Sequence, residues 1–182
     1  SGKTGFSLAK KAVYRGADVT LISGPTELKP PINVNYIEIN SAEDLYKQVM
    51  NCYQDFDIII MAAAVADFTP ENISENKIKK NNEENLTINL KRTKDIISEL
   101  SKNITEKQKL VGFAAESENL LENAKSKLKR KKLDMIVAND IKNNDIFGSN
   151  QSEVVILTND TQLNIERSSK EVIADKILDT LI

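Results

Sequence analysis

The 182-residue chain predicts an α/β protein, doubly wound around a mostly parallel sheet, with an antiparallel hairpin appended near its end. Three observations lead there. Short apolar runs at Ile58–Met61, Leu110–Ala115 and Leu133–Ala138 have the length and composition of strands buried on both faces. Between them lie stretches whose apolar residues recur three and four positions apart, the mark of helices with one buried face. Finally, Val154–Leu157 and Gln162–Glu166 flank Asn159 and Asp160, a hairpin pattern. No repeat, low-complexity tract or interdomain linker interrupts this order, so residues 1–182 are expected to form one domain.

Taken in order, SGKTG at residues 1–5 opens a helix with apolar positions at Phe6, Ala9, Ala12 and Val13, stopped by Gly16 at the place of a C-cap. A glycine loop opening a helix presents backbone N–H groups suited to phosphate, although two glycines there also serve a plain tight turn. Such a loop normally follows a strand. None precedes Ser1, nor does an initiator methionine, so the chain is expected to be a fragment lacking its first strand. Ala17–Ser23 and Val34–Ile39 read as strands, separated by Gly24-Pro25 and by Pro30 and Pro31. Ser41, with Asp44 three residues on, caps a helix that buries Leu45, Val49, Cys52 and Phe56. After the strand Asp57–Met61, Pro70 stops regular structure. Leu86–Leu90 alternates as a short strand, and Asp95 opens a helix carrying Ile96, Ile97 and Leu100. A helix over Asn119–Lys132 follows the strand Leu110–Ala115. A polar loop containing Phe147 and Gly148 follows Leu133–Ala138. The last helix starts at Ser168, with Glu171 completing a capping box, and buries Val172, Ile173, Ile177, Leu178 and Leu181.

Composition removes several chemistries. With no histidine and a single cysteine, Cys52, an internal disulfide is impossible, and a zinc site or a Ser-His or Cys-His pair has no basis. Cys52 lies on an apolar helical stripe and reads as a core residue. Catalysis must then use lysine, carboxylate, amide, backbone or a bound metal. No apolar run approaches the length of a membrane span, and a net charge of -2 argues against a nucleic-acid partner.

The stretch AAAVADFTPENISENKIKK, Ala62–Lys80, makes a poor core and a good ligand mouth. Its alanines let backbone approach a ligand beyond the carboxyl end of a strand, Asp67 supplies one carboxylate, and Lys77, Lys79 and Lys80 form a basic loop able to close on an anion. The helix after Asn119 adds two more cations. At about 100° per residue from Ala124, Leu120 falls near -40°, Leu128 near +40°, Lys131 near -20° and Lys127 near -60°. Lys127 and Lys131 therefore lie on or beside the apolar stripe, either as snorkelling stems at a helix C-terminus or as ammonium groups reaching an anionic ligand.

Together, SGKTG, GADVTLISGP, AAAVADF, KIKK, KDII, VGFAAES, KLKRKKLD and IVAND resemble, in order and spacing, the phosphopantothenoylcysteine synthetase family. This resemblance implies a Rossmann-like fold and a cytoplasmic ligase that joins 4'-phosphopantothenate to L-cysteine with CTP and Mg²⁺, through an acyl-cytidylate. It also implies a homodimer, and FMN only where a decarboxylase is fused upstream. It assigns Met61, Ala62, Ala63, Asp67, Lys77, Lys94, Asp95, Ile96, Ile97, Phe113, Lys127 and Lys131 to the nucleotide. Ala63 and Ala64 are assigned to the substrate, and Lys77, on a flap, to the chemistry. The family's glycine turn and its substrate-holding asparagine and arginine fall upstream of Ser1, and its Asn-Pro-Asp-Ile is here Thr93, Lys94, Asp95, Ile96. The metal ligands are not assigned.

Three other readings start from the same residues. An NAD(P)-dependent reductase would share the glycine loop, but no Tyr-x-x-x-Lys pair stands in a helix and no acid closes a strand about 20 residues beyond the glycines. A P-loop nucleotidase would use Gly2-Lys3-Thr4, yet wants an aspartate directly after an apolar strand, where this chain has Ala62 to Ala66 before Asp67. A non-catalytic regulatory domain is the third.

Overall fold

In the computed structural model, which describes residues 1–72, 74, 76–77, 86–116, 118–140 and 149–182, strands and helices alternate as the apolar periodicities require. Helix α1, Lys3–Tyr14, is entered through Gly2 at φ 68° and left through Gly16 at φ 86°, conformations that an L side chain rarely adopts. Strand β1, Thr20–Ser23, and strand β2, Asn35–Glu38, pair in parallel as a separate two-stranded sheet. Helix α2, Ala42–Cys52, starts where the Ser41 hydroxyl accepts the Asp44 N–H at 3.1 Å. Strand β3, Ile58–Met61, leads through the alanines to β4, Phe68–Pro70, which pairs antiparallel with β5, Leu90–Arg92. Helix α3, Ile96–Asn103, strand β6, Lys109–Glu116, helix α4, Leu120–Arg130, and strand β7, Met135–Asp140, follow. The hairpin β8, Gln151–Thr158, and β9, Gln162–Ser169, precedes helix α5, Lys170–Leu181.

The main sheet runs β3-β6-β7-β8-β9, parallel through β7 and antiparallel beyond it. Its two faces bury two cores. One joins Val111, Met135, Val137 and Ile156 to Leu8 of α1 and to Ile173, Ile177 and Leu181 of α5. The other joins Leu110, Ile136 and Leu157 to Leu45 and Val49 of α2, Ile96 and Leu100 of α3, and Ala124 and Leu128 of α4. Residues alternate between these cores along each strand, as the two-residue period of a pleated strand demands.

Several sequence expectations shift. Ile58–Met61 is half-buried rather than buried, because β3 pairs only with β6 and its other edge has no strand partner among the described residues. Pro70 does not merely stop structure, since it is the last residue of β4, and the paired part of the predicted strand 86–90 is moved on to Leu90–Arg92. The last helix is capped one residue later than expected: Ser169 accepts the Val172 N–H, while Ser168 still belongs to β9. Glu171 makes no capping box but pairs with Lys10 of α1 at 2.7 Å, and Val172 is 45% exposed. Phe147, Gly148, Lys79 and Lys80 lie outside the described residues.

Candidate functional site

Residues assigned from the sequence gather where β3 and β6 end, on the α2–α4 face of the sheet. Met61 pairs with Gly112 across β3 and β6, and beyond it the backbone turns through Ala62, Ala63 and Ala64, the last two exposed to solvent. With no side chain beyond Cβ, these residues leave the peptide groups open to a ligand. The loop is then tied down. The Asp67 carbonyl accepts the Thr93 N–H at 2.8 Å, which brings the segment before α3 alongside the alanine segment.

Asp95 occupies the N-cap of α3, accepting the Ser98 N–H at 3.1 Å, and also receives Lys131 at 2.9 Å. Burial alone would push the Asp95 carboxyl up. The hydrogen bonds from Lys131 and Ser98 together outweigh it and hold the group below its ordinary value. Ile96 is buried behind it and Ile97 half-buried, both against the α2–α4 core. Lys94 reaches across to α2, pairing with Glu43 at 3.0 Å and standing 4.1 Å over the Tyr46 ring.

On α4, the two inward-leaning cations both meet acids. Lys127 donates to Glu116 at 2.5 Å, where Asn123 also donates to the second carboxylate oxygen at 3.1 Å. Lys131 is the C-cap residue rather than part of the helix, and its side chain is only 20% exposed. Neither lysine snorkels freely outward. Each is held by a carboxylate at the edge of the core, where effective charge interactions exceed those in bulk water. Two ammonium groups thus stand near the same edge of the core, Lys127 on Glu116 and Lys131 on Asp95.

Other assigned residues stand apart. The Phe113 side chain packs on the α1/α5 core, so of this residue only the backbone faces both sides of the sheet. Asp67 is exposed, and so is Lys77, which has no ion pair among the described residues. Sequence reasoning missed Glu43, Tyr46 and the pairing role of Glu116. It also passed over Thr93, whose hydroxyl is buried with no hydrogen-bond partner among the described residues. The signal for Glu116 was present, as an acid ending a strand eleven positions before an inward-leaning lysine.

Comparison with known proteins shows the family of the chain. The chain is 44% identical over 182 residues to the coenzyme A biosynthesis bifunctional protein CoaBC of Borreliella burgdorferi, covering 100% of this chain and 46% of that protein. It is 45% identical over 162 residues to the protein of the same name from Bacillus subtilis, covering 88% of this chain and 39% of that one. It therefore spans less than half the length of these curated relatives. Among solved structures, the C-terminal domain of a CoaBC bifunctional protein superposes with a TM-score of 0.83 at 36% identity, covering 100% of this chain and 81% of the other. The family model described as the DNA/pantothenate metabolism flavoprotein C-terminal domain matches residues 1–182. From its first residue to its last, the chain belongs to that family.

Proposed function

We propose that the complete protein carrying this chain is a phosphopantothenate-cysteine ligase. It joins 4'-phosphopantothenate to L-cysteine at the expense of CTP, in the cytoplasm, within coenzyme A biosynthesis. The observation that carries this reading is the pair Lys127 and Lys131, held on acids at the carboxyl end of the sheet beside an alanine-lined backbone loop. The family membership and the names of the relatives point the same way.

In the first step an oxygen of the substrate carboxylate attacks the α-phosphorus of CTP, the bond to the β-phosphate oxygen breaks, and pyrophosphate leaves an acyl-cytidylate. In the second the amine of cysteine attacks the acyl carbon, CMP departs and the amine loses a proton. No protein nucleophile is needed. What is needed is relief of repulsion between an attacking anion and a polyanion, which positioned cations provide. Lys127 and Lys131 exchange their carboxylate partners for phosphate oxygens. Met61, Ala62 and Ala63 present backbone to the nucleotide, with Lys94–Ile97 bordering it, while Ala63 and Ala64 border the acyl substrate. Lys77 closes from its loop on the reacting groups.

Magnesium fits this arrangement. No group of three or more acids stands ready to cage a metal among the described residues, and Mg²⁺ characteristically binds through one or two carboxylates together with substrate phosphates. Asp67, exposed beside the alanines, would hold it, and the ion would supply charge neutralisation along the triphosphate.

The same reading makes the protein a homodimer. Phe68, Leu86, Ile88 and Leu90 are 49%, 65%, 57% and 57% exposed on and beside the β4–β5 pair, an apolar strip that a second copy would cover.

Substituting Lys77 tests the chemistry. With Lys77→Gln in the complete protein, steady-state amide formation is expected to fall by a factor of 10² or more, the scale of a lost electrostatic contact in the transition state. CMP-bearing acyl intermediate is expected to accumulate in single-turnover quenches. Turnover within a few-fold of the parent, with no intermediate, would remove Lys77 from the mechanism.

A further inference from the structure

Thr93, Lys94 and Asp95 follow one another into α3, and each is tied to a different part of the molecule. The Thr93 N–H donates to the Asp67 carbonyl at 2.8 Å, just beyond the alanine segment. Asp95 receives Lys131 from the end of α4 at 2.9 Å. Lys94, between them, is tied through its side chain, which donates to Glu43 of α2 at 3.0 Å.

That side chain ends on a prepared surface. Glu43 lies in the first turn of α2, where the helix N-terminus favours a carboxylate, and Lys47, four positions on, stands 4.0 Å from it. Tyr46 is partly buried against the α2–α4 core, which fixes the ring whose centre lies 4.1 Å from the Lys94 ammonium. The Ser41 hydroxyl caps the same turn. One ammonium therefore meets an acid and an aromatic face, both carried by the start of a single helix. An ion pair this exposed, 50% and 48% at its two side chains, contributes little by itself. The ring adds a second contact to the same charge, and together they make a tether.

The tether joins parts of the fold that the sheets leave separate. Helix α2 continues from β2, in the small two-stranded sheet, while β3 and β6 belong to the main sheet. Through Lys94, the segment that borders the nucleotide is fastened to the element that carries the smaller sheet.

We propose that Lys94 is a positioning residue, whose latch onto Glu43 and Tyr46 holds the backbone of residues 94–97 in place to border the nucleotide. The inference rests on the ligase reading above for its ligand. It gives Glu43 and Tyr46, which touch no nucleotide in that reading, a part in CTP binding.

The test follows CTP kinetics and amide hydrogen exchange in the complete protein and in its Lys94→Met, Lys94→Arg and Glu43→Gln variants. Both side chains are exposed, so neither position threatens the core. Losing an exposed ion pair together with a cation–π contact corresponds to about a fivefold effect. Lys94→Met is expected to raise the KM for CTP by about that factor, by more than it changes kcat, with the KM for 4'-phosphopantothenate unmoved. Lys94→Arg keeps the charge and can lie on the ring, so it should stay close to the parent. Glu43→Gln should also raise the KM for CTP, and the Lys94→Met/Glu43→Gln double variant should be no worse than Lys94→Met alone, because one tether is lost only once. Direct contact between Lys94 and phosphate predicts the reverse at Glu43. A Glu43→Gln variant that binds CTP as tightly as the parent, or more tightly, would overturn the latch.

Exchange of the Ser98 and Glu99 amides, measured without nucleotide, reports on the segment by itself, since both donate to Asp95. About fivefold faster exchange in Lys94→Met, restored in Lys94→Arg, supports the latch, on the same scale of lost contacts. Exchange in Lys94→Met equal to that of the parent contradicts it. If the parent does not bind CTP, the ligase reading fails, and the exchange rates alone decide the latch.

Discussion

Asp95 serves two masters within a few ångströms: it caps α3 through the Ser98 N–H and it anchors Lys131. Its carboxyl is held below the ordinary value in the folded protein, so its stabilisation is complete above the unfolded pKa and is lost as pH falls through the folded one. Asp95→Ala should therefore cost about 1 kcal/mol at pH 7, the usual worth of an N-cap. Urea unfolding of the complete protein at pH 7 and pH 3 checks this. The gap between parent and variant should narrow at the lower pH, and a constant gap would mean that the charge is irrelevant. Lys127 and Lys131 were legible as inward-leaning because helical spacing alone fixes their angle to the apolar stripe. Their partners were not legible in the same way. Lys131 meets an acid 36 positions away, and no local periodicity carries that pairing.

Strand and helix identities followed from apolar periodicity, and the deviations trace to neighbours along and across the sheet. The hairpin strands extend beyond the predicted runs because ladder hydrogen bonds continue into polar residues, at both ends of β8, Gln151–Thr158, and at the C-terminal end of β9, Gln162–Ser169. Glu171 left the expected capping box because the cap moved to Ser169, which puts Val172 at the third helical position, and Glu171 pairs with Lys10 of α1 instead. Gly112 shows how an element can be constrained with no local sign. A Cβ built there would stand 2.8 Å from Leu133 Cδ1 and 2.9 Å from Ile97 Cδ1, so an added carbon must displace the ends of two core side chains, one from α3 and one from the turn after α4. Gly112→Ala is expected to destabilise by about 1–3 kcal/mol through overpacking, read as a lowered urea midpoint with unchanged slope. A midpoint within error of the parent would show that Ile97 and Leu133 move aside freely.

At the scale of the whole molecule, the doubly wound class was readable from the alternation of elements, while the separation of β1–β2 from the main sheet was not. Each strand carries the apolar residues of a sheet interior, and only the fold reveals which edges have partners. The strip at Phe68, Leu86, Ile88 and Leu90 is exposed, and it is the surface that the proposed homodimer would cover. Replacing Phe68 and Ile88 with aspartate should convert the complete protein from dimer to monomer by light scattering, since two desolvated charges oppose a dry interface. A dimer of unchanged mass would move the contact elsewhere on the surface.

The proposed ligase activity turns on two amines, Lys131 and Lys127, being exchanged from Asp95 and Glu116 to a nucleoside triphosphate. Calorimetric titration of CTP with Mg²⁺ into the complete protein and its Lys127→Gln and Lys131→Gln variants measures that most directly. Each substitution is predicted to weaken CTP at least tenfold, as expected for a lost charge-assisted contact, while leaving 4'-phosphopantothenate affinity intact. CTP affinities equal to that of the parent in both variants would contradict the account.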